Sequence, residues 1–534
     1  MSRISTANAT IVGAAVTPTV TDTLMQPSRG WDREAAAHLL RRAAFGGTPE
    51  EIDRVAAAGL DEAVNQLIDY ATQPRGVAEF QPVRGAERSG AQQRLRELAS
   101  EQRQESRRQL RQLDRVQLEE LRAWWMNLMI ATARPLEERM TLLWHGLFTS
   151  GHREVRDSTM LFDQNALLRE NALARFRKLL IGVSQDPAML RYLDNASNRK
   201  QAPNENYARE LLELFTLGVG PYTEQDIKEA ARALTGWTIR DGSFSEIRQY
   251  HDNGVKTLFG EAGNFDGNDI IDIILARPEA SRHLAAVLLK SFLTPQPGDA
   301  EGESLAAVIR DTRFDMREIM RALLKSRMFY DPRHRFSIIK GPVELVVGTV
   351  RLLEAKYTDL EGLVAATRSQ GQELFQPPNV KGWDGHTRWI NTATLFARYN
   401  FASQLLMGGG ADARLRRRGR RQNTAPDYHR EEARRTLADL PGLSIPDAQV
   451  HSAPQPAYDP GPIIERHRLL TADRVVNHFV DRLLQQRVNH LHRNDLRTLL
   501  VGDAERFDPR SPGGRTRVIA MINAILCTPE FQLK

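Results

Sequence analysis

Three glutamates at helical spacing are the first residues in this chain that could do chemistry. In Pro203-Asn204-Glu205-Asn206-Tyr207-Ala208-Arg209-Glu210-Leu211-Leu212-Glu213-Leu214-Phe215, a turn of about 100° per residue places Glu205, Asn206, Arg209, Glu210 and Glu213 on one helix face. Carboxylates on one stripe can ligate a divalent cation or form an acid–base pair, and Arg209 among them would orient a carboxylate. The same spacing also suits a plainer role. Glu205 with Arg209, and Arg209 with Glu213, are i,i+4 ion pairs of a solvated face.

Two imidazoles extend the candidate set. His145 stands in Leu142-Leu143-Trp144-His145-Gly146-Leu147-Phe148, a run too apolar for a surface. It is a ligand or proton donor on one reading and a core histidine bonded to a backbone carbonyl on the other. His251 and Asp252 adjoin Asn253-Gly254, as a ligand or general-base couple or simply as turn residues. The candidate catalytic residues are therefore His145, Arg209, Glu210, His251 and Asp252, and the candidate ligands of a divalent metal are Glu205, Glu210, Glu213 and His251.

Other polar residues have simpler readings. Glu344, in Val343-Glu344-Leu345-Val346-Val347, needs a cation if buried, and Lys340 and Arg351 are the local choices. His38, between Ala37 and Leu39, reads as a core histidine. Thr223 and Asp226 fit a capping box. The loop 376–385, with Trp383, would either close a pocket or plug the core. No Walker loop, Rossmann glycine fingerprint, His-Glu-x-x-His or nucleophile elbow occurs.

The elements that must position these groups are helical. A helix from Asp32 ends at Phe45-Gly46-Gly47, and Thr48-Pro49-Glu50-Glu51 starts the next, with Thr48 as N-cap. The breaker-free stretch 91–133 predicts one long helix, polar at first and apolar from Leu121 through Trp124 and Trp125. Helices are expected over 159–236, 269–293, 303–329, 341–356 and 391–407. A single hairpin is expected at 244–259, turning on Asp252-Asn253-Gly254. Residues 1–30 read as a flexible arm and 408–462 as a flexible insertion with the Arg run 414–421 and a short helix at 429–438. Residues 463–534 return to helix and complete a main body spanning 31–406.

The composition is that of a folded protein. Of 534 residues, 41% are hydrophobic and 26% charged, so a large core is available. A net charge of +6 is too small for this length to imply a polycation, and the Arg run lacks interleaved aromatics, so no specific nucleic-acid partner is expected. The single cysteine, Cys527, excludes an intrachain disulfide and reads as core. No run approaches the roughly 18 apolar residues of a membrane span. The weak apolar patch at 11–16 is a poor signal peptide, which predicts a cytoplasmic chain.

Several of these pieces, in this order, resemble the bacterial domain-of-unknown-function 1800 family. They are the stretches 37–46, 143–148, 186–190, 203–218, 222–237, 251–256, 263–267, 342–345, 377–383 and 528–532. The resemblance implies no defined activity and no catalytic residues. It does imply export, to the periplasm or beyond. It also implies a partner from the domain-of-unknown-function 1501 family, which is similar to alkaline phosphatases and sulfatases. One departure is Leu147, where the family commonly has a second histidine, so a site needing both is not available. The expected fold is all-α with one small hairpin and a long protruding polar helix. Two functions are expected to compete. One is an enzyme, metal-dependent in its sharpest form, with a pocket of His145, Glu205, Glu210, Glu213, His251 and Asp252. The other is a helical scaffold that binds the phosphatase-like partner or an anionic polymer.

Overall fold

The computed structural model describes residues 31–82, 100–408, 457–485, 490–502 and 507–534. The expected N-terminal arm, the first residues of the long helix, the Arg run 414–421 and the 429–438 helix lie outside the described residues.

The described chain is mainly helix. It starts with α1 (Arg33–Ala43), α2 (Pro49–Ala58) and α3 (Leu60–Ile68). Thr48 caps α2 in a reciprocal box with Glu51, with Pro49 in the first turn. The long helix α4 (Ser100–Ala131) is followed by α5 (Pro135–Leu147), α6 (His152–Val155), α7 (Ser158–Glu170), α8 (Phe176–Gln185) and α9 (Pro187–Tyr192). Next come α10 (Glu205–Glu210), which runs directly into a π-helical turn, Leu211–Thr216, and α11 (Glu224–Ala233). Thr223 and Asp226 cap α11 reciprocally.

Beyond the sheets, α12 (Gly267–Ala276) and α13 (Pro278–Phe292) replace the one helix expected over 269–293. Pro278 lacks the N–H to continue α12 but suits the first turn of α13. The stretch 303–329 also divides, into α14 (Asp299–Asp311) and α15 (Met316–Lys325), because Arg313 and Phe314 have positive φ and Asp315 caps the second helix. Then follow α16 (Pro342–Leu352), α17 (Leu360–Ser369), α18 (Thr392–Met407), α19 (Gly461–Arg466), α20 (Ala472–Leu484), α21 (His490–Val501) and α22 (Pro512–Leu526). Among the described residues, no helix is long and apolar enough to cross a membrane.

The expected single hairpin is corrected to two. β1 (Trp237–Arg240) pairs antiparallel with β2 (Ser243–Glu246), and β3 (Lys256–Leu258) with β4 (Glu261–Gly263). Each has a two-residue loop with both φ positive, Asp241-Gly242 and Phe259-Gly260, the geometry that matches strand twist. Asn253-Gly254 lies between the hairpins. There the Asp252 carboxylate accepts the Gly254 N–H at 2.8 Å and makes a local turn instead.

Two large apolar clusters hold the helices together. In the first, Trp144, Phe148, Phe176, Phe215 and Phe314 form a chain of ring contacts at 5.2–6.3 Å, and α12, α13 and α15 close around it. In the second, the apolar end of α4 packs with α16 to α20 and α22. Cys527 is half-buried against this second cluster and not inside it. Glu138 and Arg169 link α5 to α7 through a fully buried bidentate pair, and Trp125 Nε1 donates to the same carboxylate at 2.7 Å. His145 of α5 lies among Trp125, Phe375 and Trp383.

Candidate functional site

His145 points inward. It is 1% exposed, and its Nε2 accepts the backbone N–H of Phe375 at 3.1 Å. Trp125 and Phe375 meet its ring edge-on at 5.1 and 5.0 Å. Burial first, and Arg122 second, push its pKa down to about 3, so the imidazole is neutral with the proton on Nδ1. It fastens the loop 376–385, which lies with its backbone against the end of α5. Gly382 has φ +75°, and a Cβ there would stand 2.3 Å from the Gly146 carbonyl. Thr149 Oγ1 donates to the Val380 carbonyl at 2.8 Å, and Arg153 N–H donates to Gln376 Oε1 at 3.1 Å.

The 205–216 segment departs from the regular helix that the sequence spacing assumes. In the π turn, Leu217 N–H reaches back five residues to the Leu212 carbonyl at 2.8 Å, and Thr216 Oγ1 donates to the Leu211 carbonyl at 2.6 Å. The added residue rotates Glu213 out of the column of Arg209. The expected Arg209–Glu213 pair is therefore corrected. Arg209 grips Glu224 of α11 with two hydrogen bonds, 2.8 and 2.7 Å, and reaches Glu205 at 3.5 Å. Glu213 accepts the Tyr222 hydroxyl at 2.8 Å.

Glu210 is half-buried. Its pKa is raised by burial and by neighbouring Glu213, against the pull of Lys381 and Arg209. The Tyr222 hydroxyl, raised to about 12 by burial and by its bond to Glu213, stays protonated and donates. Tyr192 also feels Glu210 and Glu154. Two carboxylates, two phenols and one ammonium thus lie within electrostatic reach of Glu210 or Glu213, carried by α9, the end of α10, the π turn, the loop before α11 and the 376–385 loop. Lys381, Tyr192 and Tyr222 were not singled out by spacing, because they come from segments far apart in sequence. No signal in the sequence marks the π turn Leu211–Thr216, because helical periodicity does not reveal its register.

His251 and Asp252 belong to a different network. His251 is 8% exposed, and its Nδ1 donates to the Thr235 carbonyl at 2.9 Å. Arg232 takes Asp252 with two bonds, 2.8 and 3.3 Å, and Glu229 at 2.7 Å. The hydrogen bond from Arg232 holds the Asp252 pKa below the ordinary carboxylate range. Glu229 Oε2 accepts the Thr257 N–H at 3.0 Å and Asp226 accepts that of Phe259. These carboxylates therefore staple β3 to α11.

The structure does not assemble the six-residue pocket. Glu210 and Glu213 stay together, whereas His145, the Glu205–Arg209 pair and the His251–Asp252 couple each have separate partners. Among the described residues, no three His, Cys, Asp or Glu side chains form a group that could hold a metal. Glu344 also finds other partners than expected. It pairs with Arg139 and Lys534, while Arg351 donates to the carbonyls of Ile130 and Thr132, and Lys340 to that of Phe531. His38 donates from Nε2 to the Phe329 carbonyl at 2.9 Å inside the core.

No curated protein and no solved structure matches the chain. The sequence model of one family, described as Protein of unknown function (DUF1800), matches residues 38–533 and so takes in both apolar clusters, the π turn and the 376–385 loop. The chain belongs to the DUF1800 family.

Proposed function

We propose that the protein is an enzyme of the acid–base type whose working groups are Glu210 and Glu213. One observation carries this reading: at the junction of α10 and the π turn, the half-buried Glu210 lies within electrostatic reach of Lys381 and of Glu213, whose carboxylate is oriented by the Tyr222 hydroxyl at 2.8 Å. Two neighbouring carboxyl groups in unlike environments, one of them with a raised pKa, are the arrangement that acid–base catalysis uses. Insertions of the π type recur at functional sites because they turn a side chain out of helical register. Lys381 would bind a negatively charged portion of the substrate. A divalent metal remains part of the proposal only as a guest of Glu210 and Glu213, since Glu205 and His251 are held elsewhere. We further propose, from the family resemblance alone, that it acts in an envelope or extracellular pathway beside a phosphatase-like partner.

The test is a panel of chromogenic esters, glycosides, phosphate esters and sulfate esters, given to the full chain and to Glu210→Gln, with and without added divalent cations. Turnover of one class, reduced about 100-fold or more in the variant with an unchanged unfolding midpoint, supports the reading. Turnover of none of the four classes, or turnover indifferent to the substitution, overturns it. Cell fractionation decides the compartment.

A second reading has its own observation. Arg107, Arg111 and Arg115 stand one turn apart and exposed on the polar half of α4. This stripe favours a scaffold role toward an acidic surface, on the phosphatase-like partner or an anionic polymer. Replacing the three by Gln should abolish co-purification of that partner, or retention on a polyanion column at about 0.15 M salt. Unaltered recovery on both counts against it.

A further inference from the structure

Six cationic side chains converge where α1, α5, α16, α18 and the end of the chain meet. Arg41, Arg42, Arg139, Arg398 and Lys534 are all buried, and Lys340 is partly so. The carboxylate among them is Glu344, held by Arg139 and Lys534. Glu34 on the far side of Arg41 is engaged by Arg335 at 3.0 Å. Among the described residues, Glu344 is thus the carboxylate side chain ion-paired within this group of six cations.

The remaining contacts of the cluster are to neutral acceptors. Arg41 Nη1 donates to the carbonyl and the side-chain oxygen of Gln485, at 3.3 and 3.2 Å. Arg42 uses one nitrogen, for the His334 carbonyl and Ser337. Arg398 reaches Gln532 and the Lys340 carbonyl. This leaves the Nε groups of Arg41, Arg42, Arg139 and Arg398, and Nη1 of Arg42, buried without acceptors. A buried donor without an acceptor is costly, and a buried unpaired charge more so.

Of these four arginines, Arg41 lines a cavity of about 20 Å³, together with Lys340, Glu344, Gln485, Lys534 and apolar side chains such as Phe45 and Leu484. Its size is that of one or two water molecules. From the cavity, the orphaned Nε of Arg41 that lines it and the surplus of positive charge around it, we infer that this is a binding site for a small inorganic anion of chloride size.

The cluster has two routes to lower its charge. The lysines can lose protons, and burial does pull Lys340 and Lys534 down to about 7. Arginine has no such route, because its guanidinium keeps its proton in proteins, and four of the six are arginines. An anion in the cavity serves Arg41, Lys340 and Lys534 at once and leaves the Glu344 pairs in place. The site is independent of Glu210 and Glu213.

The test compares chloride with gluconate at fixed ionic strength on the full chain. Chloride should raise the unfolding midpoint by about 2 °C or more and saturate with concentration, as a ligand of the native state does. Arg41→Met and Lys340→Met should each abolish the rise. Crystals soaked in bromide give a readout independent of whether those variants fold: an anomalous peak beside Arg41 and Lys340 is expected. Equal midpoints in chloride and gluconate, a rise that persists in both variants, or bromide-soaked crystals with no peak in the cavity would each overturn the inference.

Discussion

Replacing Glu344 by Gln should destabilise the fold by about 3 kcal/mol, through charge and not through packing. The glutamate holds Arg139, Lys534 and the Gly341 N–H, the last at 2.9 Å, and its side chain is 14% exposed. Glutamine has the same shape, and its amide oxygen can still accept from Gly341. What disappears is the negative charge that Arg139 and Lys534 share. Removing one partner of a buried ion pair costs about 3–5 kcal/mol, since the other charge is left uncompensated. The retained Gly341 bond and the residual solvent contact place this case at the lower end. The assay is equilibrium urea unfolding followed by tryptophan fluorescence, which reports on Trp125 and Trp144 inside the two clusters. Adding Arg139→Met to the variant should recover about 1 kcal/mol or more, because it removes the orphaned guanidinium, which cannot shed its charge. A loss below about 1 kcal/mol, or a double variant no more stable than the single one, would refute the argument.

The same residue sets an acid limit. The Glu344 pKa is held down to about 2 by Arg139 and Lys534 against the effect of burial, from an ordinary value of 4.5. Its contribution is therefore complete above about 4.5 and lost as pH falls through about 2, and stability measured across that range should fall less steeply in Glu344→Gln. Asp186 has the opposite sign. Burial raises it to about 7 from 3.8, while Gln164 and the Met189 N–H bind its carboxylate at 2.7 and 2.8 Å. Its contribution is complete below 3.8 and lost as pH rises through about 7. Asp186→Asn, which keeps the cap, should flatten the decline between pH 4 and 8 in a thermal-unfolding series. Gly382→Ala should open the 376–385 loop, since it combines a strained φ with a clash against the Gly146 carbonyl. Faster proteolysis within 376–385 and a loss of about 1–3 kcal/mol are expected, and wild-type cleavage rates would contradict the assigned geometry.

The sequence by itself determined what depends on neighbours three or four residues apart. Thr48 with Glu51 and Thr223 with Asp226 cap their helices as the i,i+3 spacing implies, and the apolar end of α4 enters the core at Trp124 and Trp125. Asp241-Gly242, a hairpin dipeptide like Asn253-Gly254, closes β1–β2 and Phe259-Gly260 closes β3–β4, whereas Asn253-Gly254 closes neither and the adjoining Asp252 is held by Arg232 on α11. Only the tertiary structure decided the rest. The π turn seats Leu211, Leu212 and Phe215 in the first apolar cluster, and its Glu213 bonds to Tyr222 instead of Arg209. His145 is tied to a backbone amide 230 residues away, and Glu344 to a lysine 190 residues away. Local spacing can rank nearby partners, as it ranked Lys340 and Arg351 for Glu344. It carries no information on which distant charge the packed helices will bring within bonding distance, and in a buried site that distance decides the energy.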